Sequence, residues 1–262
     1  MNGYVCIGAL RGAMTEENFA LAQQALPGLK GVIACVFPYL CERSEGNISL
    51  YARGEDYHTV VRRELDRLIE SLRREYPNTA FLPYVDASPF PEVLAAAQAG
   101  LGVVGRNSLL ITPRWGSFVF IGLIATDLEL DIEPRPVRAC IDCGRCISAC
   151  PGGALSAGGV DIRRCLSDIT QRKGELSQTE QALIKSQNTA WGCDICQLVC
   201  PMNEHAESTA LEAFSSDLIS GLRSGDIPAT QAEFKRKYQN RAFSWRGRAP
   251  LARNLGLLES EQ

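Results

Sequence analysis

The chain has 262 residues, 45% of them apolar and 22% charged, enough apolar character to bury one large core or two smaller ones, and this excludes a disordered protein. Its longest apolar runs, around residues 31–39 and 118–125, are far shorter than the roughly 20 residues of a membrane span, and the start lacks a basic flank with an apolar signal core, so a cytoplasmic protein with no membrane partner is expected. A net charge of -3 provides no general basic field, so a nucleic acid would have to be met by a local patch.

Thr15 followed by Glu16 and Glu17 has the hydroxyl cap and acidic first turn of a helix, which Pro27-Gly28 should end. The run Gly31-Val32-Ile33-Ala34-Cys35-Val36-Phe37 predicts a strand covered on both faces. Between Asp56 and Tyr76, Val60, Val61, Leu65, Leu68, Ile69 and Leu72 recur at helical spacing, with Arg62, Arg63, Asp66 and Arg73 on the other face. A second strand is expected over 80–85. It leads into Asp86-Ala87-Ser88-Pro89, where Ser88 would cap a helix opening at Pro89 and ending near Gly100. Residues 116–127 predict another apolar strand. Strands alternating with helices imply a layered α/β, mixed α+β, domain.

Gly100-Leu101-Gly102-Val103-Val104-Gly105 spells G-x-G-x-x-G, yet it follows a predicted helix and precedes a strand, the reverse of a dinucleotide fingerprint. NAD binding is therefore not inferred from it. At Glu133-Pro134-Arg135-Pro136 the composition turns to that of a linker. The expected domains are residues 1–133, an α/β domain; 134–205, a ferredoxin-like double-cluster domain; and 206–262, a helical basic tail.

Of 11 cysteines, eight fall between Cys140 and Cys200. In a reducing compartment such clusters hold metal more readily than disulfides, and the distant Cys6, Cys35 and Cys41 read as ordinary buried thiols. Cys140-x2-Cys143-x2-Cys146-x3-Cys150-Pro151 is the bacterial ferredoxin run. Cys193-x2-Cys196-x3-Cys200-Pro201 is a second array with three thiols, and Cys165 completes the eight ligands that two cubane clusters need. If the ferredoxin crossover holds, one [4Fe-4S] cluster takes Cys140, Cys143, Cys146 and Cys200, and the other takes Cys150, Cys165, Cys193 and Cys196. A pair of structural zinc sites is the competing reading, although zinc ribbons do not use this short spacing.

Beyond the cysteines, the chain resembles the epoxyqueuosine reductase family, cobalamin-dependent iron–sulfur enzymes that finish queuosine in tRNA. The matching pieces are Tyr51-Ala52-Arg53-Gly54-Glu55-Asp56-Tyr57-His58, Tyr84-Val85-Asp86-Ala87-Ser88-Pro89, Ala99-Gly100-Leu101-Gly102-Val103-Val104-Gly105-Arg106-Asn107-Ser108, Ile169-Thr170-Gln171-Arg172-Lys173-Gly174, and the array from Gly192 to Pro201. The chain has no D-x-H-x-x-G motif: Asp56-Tyr57-His58 comes nearest, but Val61 stands where Gly is required, so cobalamin is implied by resemblance alone.

In the family the corrin lies between the α/β and cluster domains, which makes residues 1–133 the implied cobalamin and substrate domain. By position, the resemblance implies that Asp86 is the proton-donating acid and that Leu110, Ile121, Ile124, Gln171, Lys173, Cys193 and Asp194 contact the corrin. An apolar pocket would raise the pKa of such an acid. The residues alone allow Asp86 to be a strand-end helix cap and His58 to be structural. The implied partners are a tRNA anticodon loop and an electron donor such as flavodoxin or ferredoxin. A dehalogenase-like reductase of a small molecule and a two-cluster electron carrier are the alternatives. The resemblance implies a short form of the family, without its C-terminal helical repeats. From Phe234 to Arg253 seven basic residues, Lys235, Arg236, Lys237, Arg241, Arg246, Arg248 and Arg253, are interleaved with Tyr238, Phe243 and Trp245, a pattern that suits phosphates and a stacked base or else a solvated helix face.

Overall fold

A computed structural model describes residues 1–260. Two compact units emerge, Met1–Pro38 with His58–Asp142, and Tyr39–Tyr57 with Cys143–Gln262. This differs from the linear three-part division expected above, because the segment 39–57 belongs with the cysteine-bearing unit and tail residues between Leu222 and Leu255 pack into that unit's core.

In chain order the elements are β1 (Asn2–Cys6), α1 (Ile7–Arg11), α2 (Glu16–Ala25), β2 (Gly31–Pro38), α3 (Tyr57–Glu75), β3 (Phe81–Val85), α4 (Glu92–Gln98), β4 (Val103–Val104), β5 (Leu110–Ile111) and β6 (Val119–Thr126). They continue with α5 (Arg145–Ala149), β7 (Leu155–Ser156), β8 (Gly159–Val160), α6 (Leu166–Gln171), α7 (Gln178–Ser186), α8 (Ile195–Leu198), α9 (Glu212–Ser215), α10 (Gln231–Tyr238) and α11 (Arg248–Glu259). No helix among the described residues is long and apolar enough to cross a membrane.

The first unit is built on a four-stranded sheet in the order β1-β2-β6-β3, with every neighbouring pair antiparallel. β2 and β6 are its central strands and have both faces covered, which explains their unbroken apolar runs. One face carries Val5, Val32, Ala34, Val36, Leu123 and Ala125 into a core with Leu10, Ala22 and the Ala95-Ala96-Ala97 side of α4. On the opposite face α3 lies close: a Cβ added to Gly122 would stand 2.8 Å from Val61 Cγ1 and 3.0 Å from Leu65 Cδ1. The absence of a side chain at Gly122 sets that helix-to-sheet spacing.

Thr15 caps α2 as expected, its hydroxyl accepting from Asn18 N at 3.1 Å. Ser88 does not cap α4. Phe90 is biased away from helical geometry by the proline that follows it, so the helix starts only after Pro91, and the Ser88 hydroxyl turns to the Phe90 carbonyl and to Glu92 Oε1. α4 ends at Gly100, whose φ of 81° is open to glycine, with Leu101 N donating back to Ala96 O. The G-x-G-x-x-G hexamer therefore ends a helix and enters β4.

The second unit packs Ile48, Trp191, Phe234, Phe243, Leu251 and Leu255 into one core. The segment 39–57 is joined to it through main-chain bonds from Ser49 N to Trp191 O and from Ala190 N to Asn47 O, each 2.8 Å long. Asn254, fully buried, donates to Thr170 O and Ala190 O, tying α11 to α6 and to the loop that precedes the second cysteine array.

Candidate active site and cluster ligands

Asp86 follows the last residue of β3 in the left-handed region, with φ of 57°. Aspartate tolerates this conformation better than most residues, but it still costs about 1 kcal/mol, and such strain clusters at functional sites. Its carboxylate Oδ2 lies 3.0 Å from His58 Nε2 in the first turn of α3. The sequence reading treated His58 as separate from the acid; the fold brings the two together across 28 positions.

In the protein alone the Asp86 side chain is 50% exposed. The left-handed turn lifts it off the strand end. The mostly buried acid of this region is Glu92, the first residue of α4, which accepts from Ser88 Oγ at 2.9 Å. Burial pushes its carboxyl up to about 7, against the Ser88 hydrogen bond and with help from the Asp86 charge. Between its ordinary 4.5 and about 7 the folded chain keeps a proton that the unfolded chain has released, so stability falls as pH rises through that window. Glu92→Gln is expected to flatten that slope by on the order of 2 kcal/mol across the window, read from urea midpoints at a series of pH values. An unchanged pH profile would mean that the carboxyl is solvated.

In the second unit the cysteines sit at the ends of short elements. Cys143 precedes α5, Cys146 lies within it and Cys150 caps its C-terminus, while Cys165 precedes α6, Cys196 lies within α8 and Cys200 follows α8. α5 packs on α8, which brings the two arrays together. Cys150 Sγ accepts a hydrogen bond from Ala154 N at 3.2 Å, as a thiolate would. Burial is the largest of the effects that push the Cys193 thiol up to about 12, with neighbouring Cys196 and Cys165 among the smaller ones. Among the described residues no trio of His, Cys, Asp or Glu is drawn together as a single ion would draw it. The fit to clusters rests on the eight-thiol donor set and on this packing, and all eight thiols are free of disulfides. Cys140 lies in the first unit, its N–H donating to Val104 O at 3.0 Å. Of the three remaining cysteines, Cys35 is buried as expected, while Cys6 and Cys41 are only half-buried.

The positions implied for corrin contact separate into two groups. Leu110 and Ile124 are buried at 3% and 0% exposure and offer almost no side-chain surface to a ligand. Ile121 packs on the α4 side of β6 and Ile124 on the α3 side, because three positions along a strand reverse the face. These two cannot line one surface. Asp194 is committed within its own unit, accepting from Ser49 Oγ at 2.6 Å and from Leu50 N at 2.8 Å. Asp194 and Cys193 line a cleft of about 270 Å³ together with Ser49, Leu166 and Ile195, too small to enclose a macrocycle. Lys173, exposed, has surface to offer and an ammonium that suits a corrin's phosphate, whereas the half-buried Gln171 amide is bonded to Tyr51, Ser167 and Trp245.

The basic tail divides as well. Lys237 donates to Asp226 O, Arg241 to Arg53 O and Asp217, Arg248 to Pro228 O, and Arg253 to Arg172 O and Gly174 O. These four of the seven cations hold loop carbonyls, so Arg248 in particular belongs to the fold rather than to a phosphate patch.

A mixed α/β unit together with eight cysteines, four of them in the ferredoxin spacing, defines the class as a protein with a double-cluster iron–sulfur domain. Residues 139–203 match the 4Fe-4S double cluster binding domain, and residues 20–87 match the family described as Epoxyqueuosine reductase QueG. The chain belongs to the epoxyqueuosine reductase family, whose members are cobalamin-dependent. It is 36% identical to the epoxyqueuosine reductase of Lactococcus garvieae, with 83% of this chain and 62% of that protein aligned. Against the enzyme of Staphylococcus aureus it is 33% identical, covering 97% of this chain and 68% of that protein. Thus the chain spans a little over three-fifths of the Lactococcus garvieae protein. Among solved structures it matches epoxyqueuosine reductase from Streptococcus thermophilus with a TM-score of 0.84 at 26% identity, over 98% of this chain and 76% of that one. It also matches an epoxyqueuosine reductase with an epoxyqueuosine-modified tRNA-Tyr stem loop, with a TM-score of 0.82 at 26% identity, over 98% and 76%.

Proposed function

We propose that the chain reduces the epoxide of epoxyqueuosine in a tRNA anticodon loop to the alkene of queuosine, consuming two electrons and two protons and releasing the oxygen as water. The observation that carries this reading is the Asp86–His58 pair, formed at a strained turn, in a chain whose cysteines match a double-cluster domain. Cobalamin, when bound, supplies the two-electron reductant, and the two clusters supply its electrons one at a time.

The chain's own residues then have distinct tasks. Asp86 delivers a proton to the departing oxygen, where negative charge develops, and His58 Nε2 holds the carboxyl and restores its proton. The imidazole, 3.0 Å away, is the group placed to return that proton. Lys173 would position the corrin's polar groups. Cys140, Cys143, Cys146 and Cys200 hold one cluster, and Cys150, Cys165, Cys193 and Cys196 hold the other. A low-potential one-electron carrier such as flavodoxin or ferredoxin reduces them, and a tRNA substrate puts the reaction in the cytoplasm.

The test is anaerobic reconstitution with iron, sulfide and cobalamin, followed by an ultraviolet–visible spectrum and turnover of epoxyqueuosine in a synthetic stem-loop. Bound cobalamin and loss of the epoxide are expected. Clusters without cobalamin uptake, and no turnover, would make the chain an electron carrier instead.

A further inference from the structure

Trp245 is the only aromatic residue among the large exposed apolar side chains of the described residues, 56% open to solvent, yet it is not loose. Its indole N–H donates to Gln171 Oε1 at 3.2 Å, and Gln171 Nε2 donates to Tyr51 OH at 3.3 Å and to Ser167 O at 3.0 Å. The Tyr51 hydroxyl also accepts from Nε1 of the fully buried Trp191, at 3.0 Å. The exposed ring is thus tied through three side chains to the core of its unit. On either side in sequence it is anchored by Phe243 and Leu251, both fully buried, and by Arg248 N donating to Gln231 Oε1 at 2.8 Å.

Arg246 lies over this ring, its guanidinium carbon 3.7 Å from the centroid. Its Nε is buried and has no hydrogen-bond partner. A buried charged donor without an acceptor is costly unless a ligand completes it, and a guanidinium fork is suited to a phosphate. A rigid, wet indole beside an incompletely paired arginine has no counterpart among the other cations of the tail, four of which are committed to carbonyls.

We infer that Trp245 and Arg246 form an RNA subsite, in which the indole stacks a nucleobase and the guanidinium takes an adjacent phosphate. This rests on the RNA-substrate reading above and adds the surface that receives the RNA. Because the ring's rotamer is already held by Gln171, little side-chain entropy remains to be lost on binding, and stacking is sequence-tolerant. The subsite thereby holds one part of the RNA, while an unstacked nucleotide elsewhere in it is left free for chemistry.

The experiment is equilibrium binding of a synthetic anticodon stem-loop RNA to the full chain with reconstituted clusters, as a function of salt. Trp245→Ala should weaken binding about 10-fold or more with an unchanged salt slope, and Trp245→Phe, which keeps a flat ring, should stay within about 3-fold of the parent. Arg246→Gln should reduce the slope of log K against log salt by about one. Iron content and thermal midpoint, measured on every variant, separate lost contact from lost fold. In the parent chain RNA should quench indole fluorescence, and this quenching should be absent in Trp245→Phe. Parent-like binding by both Trp245→Ala and Arg246→Gln would overturn the subsite and leave the substrate reading intact. Loss of cobalamin uptake with RNA binding retained in Trp245→Ala would also overturn it, and the ring would then belong to the corrin. If the parent chain binds no RNA, subsite and substrate reading fall together.

Discussion

Asp86→Asn is expected to lower epoxide reduction by a factor on the order of 10² or more while iron and cobalamin content stay unchanged. Asparagine tolerates the left-handed turn that Asp86 occupies at φ of 57°, so the backbone at the end of β3 is not disturbed. Its amide still reaches the His58 ring, 3.0 Å away in the parent chain. What it lacks is a proton to give. His58→Gln should show a smaller loss together with a changed pH profile, because the carboxyl then depends on water for its proton. Activity close to that of the parent in Asp86→Asn would reduce Asp86 to a turn residue that happens to face a histidine.

Cys165→Ala is expected to remove one of two clusters, lowering iron from about eight to about four per chain and abolishing turnover, since the electron path then lacks a step. The same change at Cys6, half-buried at the end of β1, should leave iron untouched. Cys165 is the sensitive choice because neither array contains it. It ends the 3-10 turn at Ile162–Arg164 and opens α6, and its thiol is near enough to Cys193 to affect that residue's charge. Iron of about four in the unmutated chain, or of about eight in Cys165→Ala, would break the eight-ligand assignment.

The depth to which the chain can be read without a structure differs between its parts. The cysteine spacing is local, because a cubane is wrapped by residues two and three apart, and the array over 139–203 can be read from one line of sequence. Helices α2 and α3 and strands β2, β3 and β6 are legible for a similar reason: periodicity and capping are properties of neighbours in the chain. β1 escaped notice because five residues with one fully buried side chain carry no usable period. The start of α4 was misplaced because Pro89 and Ser88 imitate a helix start that Pro91 postpones.

Strand order and pairing are long-range. β6 lies between β2 and β3, and nothing in a strand's own residues states which neighbours it takes or that the pairs run antiparallel. The same holds for the segment 39–57, whose composition resembles any loop but whose main-chain bonds run to Ala190 and Trp191.

The sequence by itself determined the donor set for two clusters, the α/β character and the family, all of which depend on residue type and short spacing. Only the tertiary structure decided that Asp86 meets His58, that Ile121 and Ile124 turn to opposite faces, and which cations of the tail hold carbonyls. Each of these is set by where distant segments pack, and burial, strand face and hydrogen-bond partners exist only once that packing has brought them together.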